Sequence, residues 1–413
     1  MTSAAKYLMI CILAALAVQG YASVIVAGED FKQFDIIPDF ELLILGGVFV
    51  ILLQAGFAVA EGGYEKSLKS FYGLCINYLA AILGTFFFGL VYSVSFDPQG
   101  AAHALEVLAN IHGWHWNVIF FYTLMATTIT TIVGRVFPAD YSVPAYAFIS
   151  FLVAGVIFPF FSCWAWGSIL YDSGWLKQLG FIDYAGSTVV HSSAAWVVLA
   201  GYLVLRSTSQ IQMEKRDVIF DDYKILSFSL AGFILWLAWS GLNIIYISDI
   251  PVSIVTIVLS AVAALIGSVV TVVVFSLFFN KKIAWEAMLK ATLGALVAVT
   301  ASCGFVSIST AAVIGGGAGL ITLYSPNLLK KWLDSKHIRE VIAVHGLCGI
   351  WGTLAVSLSG QVLGNMTHAV SLKTQLTGIL VCFIWSFGTA FVAFWSMKML
   401  GIKFRTSSVT DKV

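Results

Sequence analysis

Charge is what this chain has least of. Only 10% of its 413 residues are Asp, Glu, Lys or Arg, where a soluble domain carries about 25%. So few ions cannot cover a globular surface, and 60% of the residues are hydrophobic, so water is not the main solvent. That excludes soluble enzymes and nucleic-acid binders. An imbalance of sign is missing too: 22 Lys and Arg face 21 Asp and Glu, for a net charge of +1, which points to neither an acidic nor a basic partner. No CxxC pair occurs among the six cysteines, and Cys11, Cys75, Cys163, Cys303, Cys348 and Cys382 all lie inside apolar runs. They read as small buried residues, neither a disulfide framework nor a metal site. The short alternating segments of a transmembrane β-barrel are also lacking, as are low-complexity linkers and any soluble module.

What the chain does have is long apolar runs. They lie near 40–60, 71–93, 116–134, 143–165, 185–205, 225–245, 252–279, 284–302, 305–324, 341–359 and 377–400. Each approaches the ~20 residues needed to cross ~30 Å of hydrocarbon. Before them, residues 1–27 carry Lys6, a short apolar stretch from Leu8 to Val18 and the small-residue end Gly20-Tyr21-Ala22-Ser23. That pattern matches a secretory leader better than a spanning helix, and its cleavage leaves the mature N-terminus outside. Lys and Arg test the resulting topology independently. Of the 22, 18 fall in inner loops or inner helix ends, three (Lys32, Lys177, Lys373) fall outside and Lys6 lies in the leader. That is the asymmetry expected of an N-out, C-in chain of eleven spans. The predicted organisation is a leader over 1–27, one membrane domain over 28–402 and a short cytoplasmic tail over 403–413.

Ionisable groups deep in a span are costly and therefore candidates for function. Of the seven histidines, only His191 and His345 lie within spans, one in the fifth apolar segment and one in the tenth. They occupy equivalent places in two five-span halves, and because five is odd the second half enters from the opposite side, as an inverted repeat. Both then stand near one pseudo-twofold axis at mid-membrane. Two imidazoles so placed can share a proton across a pore, pack as buried structural residues, or bind a metal with Cys348 as the third ligand on offer. Gly315-Gly316-Gly317-Ala318-Gly319 looks like a phosphate loop, but no Lys-Ser/Thr follows and it sits inside a span, so it reads as a close helix-packing surface. Asp183, just before the fifth span, can cap that helix or attract a cation at the outer mouth, and capping is the stronger reading.

Several segments then resemble the ammonium transporter (Amt/Rh) family. DYAGSTVVHSSAAWVVLAGYLVL (183–205) is similar to the family's fifth-helix signature. QAGFAVAEGG (54–63), CWAWG (163–167), WSGLN (239–243), VTASCG (299–304) and VHGLCGIWG (344–352) follow in the family's order, as does QLTGI in the last span. CWAWG and DYAGSTVVH favour the Amt branch. The resemblance implies an all-α homotrimer whose eleven-helix protomers, a 5+5 inverted repeat plus a final helix, each hold a narrow pore. It implies no cofactor and no resident metal. The family's twin pore histidines match His191 and His345. Its outer ammonium site matches Phe121, Trp166 and Tyr246 with Asp183 at the vestibule, its stacked gate matches Phe121 and Leu242, and supporting positions match Trp239, Asn243 and Thr300, with Glu340 matching more weakly.

Ammonium or ammonia transport across the plasma membrane is the function this implies. An aromatic cup can hold a small cation face-on while Asp183 raises its local concentration. Ammonium entering an apolar tube is expected to shed a proton, and the imidazoles then bond ammonia or relay that proton while the apolar wall excludes hydrated sodium and potassium. The departures are Leu242 for the second gate phenylalanine, Tyr246 for a small hydroxyl, Ala139-Asp140 for a common Glu-Arg pair, and the brief tail GIKFRTSSVTDKV. They keep open an ammonium receptor of the same fold with little flux. The resemblance also implies a regulator of the PII type, or a signalling module, at the cytoplasmic face. A membrane enzyme is disfavoured, since no nucleophile–base set is apparent.

Overall fold

A computed structural model describes residues 39–62, 68–96, 101–109, 116–134, 137, 141–167, 174–206, 222–244, 253–279, 284–358 and 370–404. The expected leader, Tyr246 and the tail from 405 onward lie outside the described residues, as does the side chain of Phe121.

Helices lie over every one of the apolar runs, and no extended strand occurs among the described residues. In lipid each backbone N–H and C=O needs a partner within its own segment, which the helix alone supplies to a single run of chain. In order they are α1 (Asp39–Gly62), α2 (Leu68–Phe96), α3 (Ala101–Ala109), α4 (Trp116–Gly134), α5 (Val143–Trp166) and the short α6 (Trp175–Gln178). There follow α7 (Ser187–Leu205), α8 (Asp222–Ile244), α9 (Ile254–Phe278), α10 (Trp285–Val299) and α11 (Ile308–Leu328). The last two are α12, built from Lys336–Val341, Ile342–Leu347 and Cys348–Leu358, and α13 (Leu372–Met399). Among the described residues six helices are long and apolar enough to cross a membrane, with shorter apolar stretches at Leu45–Phe57, Tyr72–Phe88 and Ser229–Asn243. Serine sets several starts: Ser253, Ser307, Ser335 and Ser371 each accept the N–H three residues on, capping α9, α11, α12 and α13.

The centre of the bundle is α7, almost wholly buried, while α9, α11 and α13 turn apolar faces such as Val270, Leu277, Val313 and Leu380 outward. With lipid on that side, an outward leucine costs nothing. Inside, polar side chains act as glue. Gln54 donates to Thr128 (2.9 Å) and accepts from Thr131 (2.7 Å), which also accepts from Asn77 (3.3 Å). Ser150 donates to Asn77 (3.0 Å), so one buried chain of hydrogen bonds joins α1, α4, α2 and α5. Cys163, Cys303, Cys348 and Cys382 are buried as expected, but Cys75 is exposed. It lies on an outward face of α2, where lipid suits an apolar thiol as well as a core does.

Glycine decides two crossings. On α2 and α5, a Cβ on Gly84 would meet the backbone of Ala154 and Gly155. On α9 and α11, a Cβ on Gly267 would run into the carbonyl of Ala312, and one on Gly315 into that of Ala264. The Gly315–Gly319 run is thus a close-packing surface, as its place inside a span suggests. Gly315→Ala has only rigid backbone to displace and should destabilise the protein by about 2 kcal/mol or more, read as a lowered melting temperature in detergent.

Candidate functional site

Both intramembrane histidines sit in π turns. Ser187–Ser192, carrying His191, opens α7, and Ile342–Leu347, carrying His345, lies within α12. A π turn adds one residue to the helical turn and so rotates the side chains it carries, a device frequent at functional sites. Here the two turns pack on each other and bring the imidazoles together: Nδ1 to Nδ1 is 3.2 Å, with ring centroids 5.3 Å apart and planes within 18°. At that distance one Nδ1 carries the hydrogen and the other accepts it. His191 is buried and His345 partly so.

Trp239 extends the column. Its ring stacks on His191 at 4.8 Å and 18°, and its Nε1–H donates to the hydroxyl of Thr300 at 2.7 Å. That hydroxyl in turn donates to the carbonyl of Leu296 at 2.7 Å. A fully buried tryptophan is thereby fixed in rotation against the imidazole it supports. Thr300→Val keeps the shape and removes the acceptor, leaving a buried N–H unpaired at a cost of about 1–3 kcal/mol. The variant should melt earlier, read as a lowered melting temperature in detergent.

Asp183 is 3% exposed and wholly occupied with the backbone. One carboxylate oxygen accepts from Gly186 (3.2 Å) and Ser187 (2.8 Å), the other from Thr188 and Val189 (both 2.8 Å). These are the orphan donors at the start of α7, so capping, the stronger expectation, is what the geometry displays. Burial pushes this carboxyl up to about 6, against the pull of those four N–H groups. Gly186 takes φ 105°, a left-handed turn that brings the chain back under the carboxylate and that a side chain would resist. Around it, Tyr184 and Ala185 donate their N–H groups to Ala301 and Thr300, and Gln375 of α13 clamps Ile182 through both its amide atoms.

Trp166 reaches the same loop: its Nε1–H donates to the Asp183 carbonyl at 2.6 Å. The ring that meets Trp166 edge-on, 6.3 Å away, belongs to Tyr122, whose hydroxyl donates to the Gly167 carbonyl at 3.2 Å. Tyr122 was not among the expected site residues. Adjoining Phe121 in sequence, it offers no signal of its own that distinguishes it. Leu242 is buried in the same apolar cluster as Leu124, Met125 and Ala126 of α4. Asn243 is fully buried, and its two amide atoms have no hydrogen-bond partner among the described residues. Glu340 lies away from this group, at the start of α12, where Lys290 Nζ bridges it (2.5 Å) and Glu286 (2.7 Å).

The structure therefore brings Trp239, Thr300, His191 and His345 into one column and joins Trp166 to Asp183 through the loop that leads into α7. Among the described residues no group of three His, Cys, Asp or Glu is arranged to hold a metal ion.

Comparison with known proteins points the same way. The model of the Ammonium Transporter Family matches residues 41–413. A Synechocystis sp. relative is 31% identical over 370 residues, covering 85% of this chain and 67% of its own. The ammonium transporter Amt2 of Archaeoglobus fulgidus is 28% identical over 420 residues, covering 91% of this chain and 86% of its own. Among solved structures, one described as a sensor Amt protein superposes with a TM-score of 0.72 at 26% identity, covering 91% of this chain and 98% of that one.

Proposed function

Because the chain belongs to the ammonium transporter family, we propose that it moves ammonium or ammonia across the plasma membrane through a narrow apolar passage lined by His191 and His345. The observation that carries this reading is the imidazole pair, stacked at 5.3 Å on two π turns deep in the bundle. In it the chain crosses eleven times, as a 5+5 inverted repeat plus a final helix, with its N-terminus outside and its C-terminus in the cytoplasm. Three copies assemble as a homotrimer, and a PII-type regulator or a signalling module meets the cytoplasmic face.

The chemistry follows from the surroundings. Trp166 offers an aromatic face to a small cation at the outer mouth, and the family resemblance assigns Phe121 and Tyr246 to the same site. The buried charge of Asp183 acts on that cation through its field and through the loop it folds, since both its oxygens are engaged. Beyond the mouth Leu242 narrows an apolar way in which a bare cation loses its hydration, so ammonium sheds its proton first. The shared proton between His191 and His345 leaves one ring nitrogen as donor and one as acceptor, matching ammonia, which is both. Asn243 adds buried amide atoms that water or ammonia can satisfy.

In proteoliposomes an ammonium gradient should give a current or an internal pH change that an equal potassium gradient does not. Silence alongside measurable ammonium binding overturns transport. That outcome is what the second reading expects, an ammonium receptor with little flux, which Leu242, Tyr246 and the likeness to the sensor Amt protein favour.

A further inference from the structure

Ser192 follows His191 and is fully buried. Its hydroxyl lies 3.3 Å from the carbonyl of Ser187 and 3.2 Å from that of Gly346, the residue after His345. A helical serine ordinarily returns its proton to a carbonyl three or four residues back. Here the π turn places the local acceptor five residues back, and the same hydroxyl reaches the facing π turn as well. The approach of the two helices is built for this contact: a Cβ on Gly349 would run into both the Ser192 hydroxyl oxygen and the Ser187 carbonyl. Ser193 points elsewhere, donating to Thr188 at 3.2 Å and meeting Cys382 of α13. Among the side-chain hydrogen bonds of the two histidine-bearing turns, Ser192 to Gly346 runs between backbone and hydroxyl immediately beside both imidazoles.

We propose that Ser192 is a positioning residue of the histidine pair. Its hydroxyl ties the π turn of His191 to that of His345 and so holds the 3.2 Å spacing across which the rings share a proton. The inference rests on the reading that the pair lines the passage. It concerns how fast substrate crosses the centre and not how substrate is captured at the mouth, because the Ser192 hydroxyl bonds the two histidine-bearing turns and neither Trp166 nor Asp183 itself. A loosened pair misaligns donor and acceptor, and misplacement of about 1 Å in such a geometry can cost two orders of magnitude in rate.

The test measures ammonium flux in proteoliposomes for Ser192→Ala, Ser192→Thr and His191→Ala, with the melting temperature of each. Ser192→Ala is expected to lower maximal flux by about tenfold. Its half-saturating concentration should stay within about twofold, and its melting temperature within about 3 °C, of the parent. Ser192→Thr, which keeps the hydroxyl, should restore most of the flux. Unchanged flux in Ser192→Ala while His191→Ala abolishes it overturns the positioning role and leaves the pore reading standing. Unchanged flux in both variants overturns the pore reading itself. If alanine and threonine lose flux equally, or if flux falls only in step with stability, the hydroxyl is not what positions the pair and the inference fails.

Discussion

His191→Asp should admit potassium where the parent admits ammonium, lowering the preference between the two by about 100-fold. The position is buried, stacked on Trp239 and in hydrogen-bond range of His345. A neutral imidazole there offers a dehydrated cation one lone pair and no charge. A carboxylate offers a full negative charge, worth about 4 kcal/mol to a cation ~4 Å away at an effective dielectric constant of ~20. That attraction offsets part of the lost hydration, so a cation no longer needs to leave a proton behind. Current recorded in potassium alone, against none for the parent, is the measurement. A variant with unaltered flux and selectivity removes His191 from the passage.

Asp183→Ala should be the most destabilising single change in the outer loop. Four buried backbone N–H groups lose the carboxylate that accepts from them. Hydrogen bonds to a charged group are worth about 1.5–3 kcal/mol each and do not add fully, so a net loss of about 4 kcal/mol is expected. In melting temperature that is a fall of about 5 °C for a chain of this length. Asp183→Asn should lie between the two, keeping an oxygen for one pair of donors and turning an NH2 toward the other pair. Were Asp183 chiefly an attractor of cations, Asn would cut flux at low ammonium and leave the melting temperature alone. The two roles therefore separate on one plot of flux against stability.

Much of the fold was legible because lipid simplifies the code. Runs of about 20 apolar residues are hard to mistake, and a serine before α9, α11, α12 and α13 marks each start. His191 and His345 stood out for the same reason: deep in apolar spans, an imidazole is conspicuous. Gly315 could be read as a packing residue because a phosphate loop needs partners that are absent there. What escaped was whatever depends on local rotation of a helix. Nothing in STVVHS or IAVHGL announces a π turn, since the extra residue is inserted where neighbouring helices demand it and not by propensity. Without the π turn, Ser192 looks like any small polar residue, and its reach to Gly346 is invisible. Tyr122 was missed because side-chain direction, not sequence neighbourhood, decides which aromatic meets Trp166. Asp183 was legible as a cap, but the number of N–H groups it gathers depends on the left-handed Gly186.

The two glycine crossings have a mechanical consequence. Gly84 against Gly155 joins the second and fourth long helices of the chain, and Gly267 and Gly315 join the corresponding pair five helices later. Where main chains touch without intervening side chains, there is no layer of rotatable groups to act as a bearing. Each pair therefore behaves as a stiff plate: sliding one rod along the other would drive carbonyl into Cα within a fraction of a residue's rise. A carrier that worked by rocking or shearing would have to break these welds on every cycle. With the plates locked, what is left to rearrange between them is side chains, whose rotations take picoseconds to nanoseconds.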